Sequence, residues 1–104
     1  MSDATDRSDG SEPDHGVTDN VDANRYELWR DGELVSFADY FHQDDVVVVP
    51  HVETRPDLRN QGNSELLLRG LLDDLRRRGL RIRPLCPHAA LYLREHRDDQ
   101  DLVA

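Results

Sequence analysis

Two adjoining segments constrain this chain more than any others. Val46–Val49 is an unbroken β-branched run, the pattern of a central strand buried on both faces. Downstream, Leu68, Leu71, Leu72 and Leu75 recur at helical spacing, with Leu67 broadening the stripe, over about Ser64–Arg78. Leu80–Leu85 then reads as a second short strand. A strand, an amphipathic helix and another strand in that order predict a right-handed crossover that places the two strands parallel.

The segment before this unit alternates differently. Arg25–Arg30 contains Tyr26, Leu28 and Trp29 and reads as a strand, and Asp31-Gly32 is a favoured two-residue hairpin pair. Glu33–Phe41 carries the strand formers Leu34, Val35, Phe37, Tyr40 and Phe41, and His42–Asp45 makes a polar turn. The Val46 strand is expected to continue through His51, Val52, Glu53 and Thr54, with a bulge or edge contact at Pro50, which lacks a ladder donor. Pro87 opens a second helix, about Pro87–Arg97, with Ala89, Tyr92, Leu93 and His96 on one side. The expected fold class is α/β (α+β), in the order β-β-β-α-β-α. It has a curved, mostly antiparallel sheet, one parallel βαβ unit and two helices.

Residues 1–23 read as a disordered acidic tail, with seven acids against one base and almost nothing apolar to bury. The folded domain is expected over residues 24–104. The net charge is −9, which disfavours nucleic acid as a partner, because phosphate binding relies on basic side chains. All 13 basic residues are arginine, and an acid-rich, lysine-free composition fits a halophile. Cys86 is the only cysteine, which excludes an internal disulfide and a multi-cysteine zinc site. No metal site is expected. No membrane span or signal peptide is visible, which points to the cytoplasm.

The informative loop is Arg59-Asn60-Gln61-Gly62-Asn63-Ser64, between the long strand and the leucine helix. Backbone N–H groups at a turn that opens a helix form an anion site, favoured by the helix dipole. Gly62 lets the backbone approach a phosphate, Ser64 is small and can cap the helix, and Arg59 supplies a charged fork. On the residues alone, an ordinary strand-to-helix connection remains the alternative. Gly79 suits the helix end, and Arg76, Arg77 and Arg78 in the last turn read as a solvated, dipole-complementing end.

The pattern of a strand, Arg-x-x-Gly-x-small and a leucine-rich helix resembles the pyrophosphate-binding signature of the GNAT acetyltransferase superfamily. Arg83-Pro84-Leu85-Cys86-Pro87-His88, followed by Ala89 to His96, is similar to its very short single-domain branch of predicted N-acetyltransferases. The resemblance covers roughly Tyr26 to Leu102. It implies an N-acetyltransferase that binds acetyl-CoA as acyl donor and moves the acetyl group to an amine acceptor by direct attack. A non-catalytic acyl-CoA-binding module or interaction subunit is the alternative. By the same resemblance, Arg59, Gln61, Gly62, Asn63 and Ser64 would hold the CoA pyrophosphate, and Val52, Glu53 and Thr54 would pair with the pantetheine arm. Cys86 would lie near the thioester, and Tyr92 would be the general acid on the departing thiolate. The branch usually carries a small residue at the place of Asn60 and an apolar one at Asn63. The first helix pair of larger members is missing, which leaves the acceptor side open; monomer and homodimer both remain open.

Glu53 and His51 are the candidate bases, expected to alternate in facing so that at most one points to the site. Cys86 could instead be a buried small hydrophobe, and Tyr92 a core tyrosine. A covalent Cys86–His88 mechanism has no supporting partner in the spacing. His15, His42, His88 and His96 show no metal-ligand spacing and are read as solvated or capping.

Overall fold

The computed structural model describes residues 16–104. Five strands form one sheet in sequence order: β1 Val17–Asn20, β2 Arg25–Arg30, β3 Glu33–Gln43, β4 Val46–Thr54 and β5 Arg81–Pro84. The first four pair antiparallel, and β4 pairs with β5 in parallel. Helix α1, Asn63–Arg78, makes the crossover between β4 and β5, and α2, Pro87–Glu95, follows β5. The chain closes with a 3-10 turn over Arg97–Leu102, and Val103 bridges Ile82 in parallel.

The mixed sheet with its single parallel pair matches the expected fold class, with one strand more than expected. Residues 17–20, which the composition places in an acidic tail, form β1 on the edge of the sheet. An edge strand this short needs only one core contact, and Val17 supplies it at 3% exposure. Its polar neighbours are satisfied by distant partners that a local pattern cannot show. Asp19 accepts from the Tyr40 hydroxyl, and Asn20 donates to Glu27. Residues 21–23, also expected in the tail, form a 3-10 turn capped by the Asn20 side chain that leads into β2; residues 1–15 of that expected tail lie outside the described residues.

Local chemistry explains the other boundaries. Asp31 and Gly32 both take positive φ, 53° and 79°, as a two-residue hairpin turn between Arg30 and Glu33 requires. Asp44 does the same at the next turn (φ 56°), so β3 runs on to Gln43, beyond the expected polar turn at His42. Gly79 ends α1 at φ 70°, with its N–H on Arg76 and Leu75 carbonyls. α2 stops at Glu95 rather than Arg97, because the chain tightens into the 3-10 turn.

The core lies between one face of the sheet and the two helices. Tyr26, Leu28, Ala38, Tyr40, Val47, Val49 and Ile82 meet Leu67, Leu68, Leu71, Leu72 and Leu75 of α1, with Ala89, Tyr92 and Leu93 of α2. Each fully buried leucine contributes about 2 kcal/mol of burial free energy. Val46–Val49 is buried throughout, as its β-branched run predicts. The alternate residues Arg25, Glu27, Trp29, Phe37, His51 and Glu53 point to the opposite side of the sheet. The terminal arginines of α1 are engaged by carboxylates: Arg76 by Asp99 and Asp101, Arg77 by Asp74, and Arg78 by Asp19 and Asp74.

Candidate functional site

Pro50 decides where the sheet opens. Asp39 pairs with His51 and Phe41 with Val48, so Val49 and Pro50 together oppose Tyr40 in a bulge. The parallel ladder with β5 ends at the same point, at Val49 and Pro84. The N–H groups of Leu85 and Cys86 both close on the Val49 carbonyl, at 3.0 and 3.1 Å, and the chain then turns into α2. β4 continues to Thr54 beside β3 alone. Its other edge, from His51 to Thr54, has no strand partner among the described residues. A groove of about 520 Å³ opens along that edge and reaches the heads of both helices.

The head of α1 forms the far wall. Gly62 is its N-cap in left-handed conformation, φ 82°, and Asn63 is its first residue. The helix therefore begins one residue earlier than expected, and Ser64 is not the cap. The first helical bond runs from the Leu66 N–H to the Gly62 carbonyl at 3.1 Å. Among the described residues no protein acceptor takes the N–H groups of Asn63, Ser64 or Glu65. Such a set of amides at the positive end of a helix forms a cradle of the kind that can receive an anion. A Cβ on Gly62 would meet only Glu65 Oε1, at 3.6 Å, so that carboxylate leans toward the cradle.

The loop residues divide. Arg59 lines the groove and donates its Nε to the Thr54 carbonyl at 3.3 Å. Asn60 also lines it, at φ 64°; a left-handed residue here explains why an asparagine serves where a small residue was expected. Gln61 is not brought to the groove. It lines a neighbouring recess with Arg30, Asp31 and Glu33. The Asn63 side chain turns inward at 8% exposure, donating to the Leu58 carbonyl at 3.1 Å and accepting from Arg30 at 3.4 Å. It holds the loop closed, as a buried residue at an apolar position must when it is polar. Only its backbone is left for a ligand.

His51, Val52, Glu53 and Thr54 all line the groove. Val52 and Thr54 turn toward the helix side, where Thr54 Oγ1 meets Ser36 Oγ at 2.8 Å. The expectation that His51 and Glu53 face opposite ways is corrected. Residues two apart on a strand share a face, and His51 Nε2 lies 2.8 Å from Glu53 Oε1.

Cys86 and Tyr92 are not part of the groove lining. Cys86 is 7% exposed and packs in the core just past the point where β4 and β5 part to make a fork in the sheet. Tyr92 is 5% exposed, its ring stacked on His96 with centroids 3.8 Å apart. Burial pushes its hydroxyl above the usual tyrosine range. Sequence reasoning missed the contribution of α2: His88, its second residue, places Nε2 2.7 Å from Ser64 Oγ and lines the groove. The only sequence signal was its place just after the proline that opens the helix.

A forked sheet with an anion cradle beside the fork defines the mixed α/β class of acetyltransferase folds. The family model described as GCN5-related N-acetyl-transferase matches residues 25–102, and the chain belongs to that family. Among solved structures, the ribosomal-protein-S18-alanine N-acetyltransferase from Escherichia coli is similar at TM-score 0.58 and 26% identity, over 69% of this chain. The match takes in 49% of that enzyme, so this chain spans about half its length. A GCN5-like protein from Staphylococcus aureus shares the fold at TM-score 0.66 and 18% identity, over 89% of this chain and 91% of its own. No curated protein matches the sequence. No helix of the described residues is long and apolar enough to cross a membrane.

Proposed function

We propose that the protein is an N-acetyltransferase that takes its acetyl group from acetyl-CoA and passes it to an amine by direct attack. One observation carries this reading: the head of α1, whose first amides meet no protein acceptor among the described residues, and the edge of β4 that lacks a strand partner among them open onto the same groove. The amides of Asn63, Ser64 and Glu65, with Arg59, would bind the diphosphate. The edge of Val52–Thr54 would hold the pantetheine arm by main-chain hydrogen bonds, as an added strand is held. Gly62 would give the donor close access to the backbone.

His51 and Glu53 act as one unit in this proposal. With Nε2–H donated to Glu53, the His51 Nδ1 lone pair accepts the proton that the amine loses as its nitrogen attacks the thioester carbonyl. Glu53 steadies the imidazolium that results. The open groove lets water supply the proton for the thiolate. The cytoplasm and a high-salt organism are the setting we infer from the acidic, lysine-free composition.

A calorimetric titration with CoA tests the donor site. Wild type is expected to bind, and Gly62→Val to lose at least about tenfold in affinity, the effect of roughly 1.4 kcal/mol. Equal affinity in the two proteins would overturn the assignment of the loop. The position of Tyr92 away from the groove favours a second reading, a module that binds acyl-CoA without catalysis. Thiol release from acetyl-CoA in the presence of a panel of amines separates the two.

A further inference from the structure

We propose that His88 is a ligand of the donor's diphosphate, held in the free protein by a hydrogen bond to Ser64 that the diphosphate displaces. This rests on the function proposed above. α1 and α2 begin on opposite sides of one groove, and the second residue of each meets the other across it: Ser64 Oγ and His88 Nε2 lie 2.7 Å apart. Ser64 belongs to the turn whose amides lack a protein acceptor. An oxygen accepting from those amides at about 2.9 Å therefore lies within the sweep of the His88 ring.

Charge gives the reason for a second side chain. A diphosphate diester is dianionic, and the cradle is short of cationic donors. Arg59 is the single cation of the loop, with its Nε on the Thr54 carbonyl, while the Asn63 side chain is committed to Leu58 and Arg30 and Gln61 faces a different recess. Glu65 adds a negative charge beside Gly62. His88 is the one titratable side chain that α2 presents to the groove. The charged and titratable groups that share the groove with it are Glu65 from α1, His51 and Glu53 from β4, and Arg59 from the loop. A phosphate within hydrogen-bonding reach favours the imidazolium, whose two ring nitrogens both donate.

Two consequences follow from this arrangement. Binding of CoA takes up a proton from buffer, so affinity rises as pH falls through the imidazole range. The gain belongs to the diphosphate and not to the pantetheine arm. The test is calorimetric titration of wild type, His88→Ala, His88→Gln and His51→Gln with CoA and with acetyl-pantetheine, which lacks the diphosphate, at pH 6 to 8.5. His88→Ala is expected to weaken CoA binding about tenfold at the acid end, the scale of one charge-assisted hydrogen bond, and to leave acetyl-pantetheine unchanged. His88→Gln, with a neutral donor, is expected to recover part of the affinity and to lose the part of the pH dependence that wild type and His51→Gln share, beyond that of the titrating 3′-phosphate of CoA itself. His88 is exposed, so its variants are expected to melt with wild type. Equal CoA affinity in wild type and His88→Ala, or an equal loss for both ligands, overturns the assignment of His88 alone. Failure of wild type to bind CoA overturns the proposed function and this assignment with it.

Discussion

The Tyr26 hydroxyl donates to Asp74 Oδ2 at 2.7 Å and thereby ties β2 to α1. Tyr40 makes the matching bond to Asp19 of β1 at 2.6 Å, and Arg78 bridges both carboxylates. Burial, then the bond to its carboxylate, pushes each tyrosine well above its ordinary range. A raised value means that the fold prefers the neutral phenol. The stability is fully present below the ordinary tyrosine value of about 10 and is lost as pH rises beyond it. Urea unfolding followed across pH should show stability falling above about pH 10. Tyr26→Phe is expected to cost about 1 kcal/mol at neutral pH and to flatten part of that alkaline fall.

Glu27 has the opposite sign. The residue is 4% exposed, and its carboxylate accepts from Arg25 at 2.6 Å, Trp29 at 2.9 Å and Asn20 at 3.0 Å. Burial alone would raise its pKa, but the three donors outweigh it and the net shift is downward. The stability it supplies is present above the ordinary glutamate value of about 4.3 and is lost as pH falls through the lowered folded value. Glu27→Ala leaves the partly exposed Arg25 guanidinium and two further donors without their acceptor. It is expected to cost about 1.5 kcal/mol in chemical denaturation at neutral pH, the scale of a hydrogen bond to a charged group, and to blunt the acid side of the stability profile.

Glu65 sets helix stability against ligand binding. As an acid in the first turn it complements the dipole of α1, yet its Oε1 lies beside Gly62, at the turn proposed to hold the diphosphate. Glu65→Gln is expected to tighten CoA binding about fivefold in low salt by removing one like charge, with a slightly lower melting temperature. Added salt should shrink the difference. Unchanged affinity at low salt would place the diphosphate elsewhere.

Tyr92→Phe separates a structural tyrosine from an acid. The ring stacks on His96 and lies outside the groove, so steady-state acetylation by Tyr92→Phe is expected to stay within about threefold of wild type. A tyrosine that protonates the leaving thiolate would lose on the order of a hundredfold or more in kcat.

Much of the fold was legible because it depends on short-range patterns. The leucine stripe of α1, the β-branched run of β4, the Asp31-Gly32 turn and Pro50 as the site of the bulge each follow from spacing or backbone chemistry within a few residues. The anion cradle was legible for the same reason, since Gly62 and the start of a helix define it locally. β1 was not legible: its polar residues look solvated until Tyr40, Arg78 and Glu27 are brought to them from elsewhere in the chain.

Tertiary structure alone decided how the groove is furnished. It turned Asn63 inward and Gln61 away, buried Cys86 and Tyr92, and brought Ser64 and His88 together across 24 positions of sequence. The sequence by itself determined every strand but β1, the two helices, the parallel crossover and the glycine turn that opens α1, because hydrophobic period and backbone freedom act locally. Which side chains meet across the fork depends on where two helix heads converge after packing, and no local period encodes that convergence.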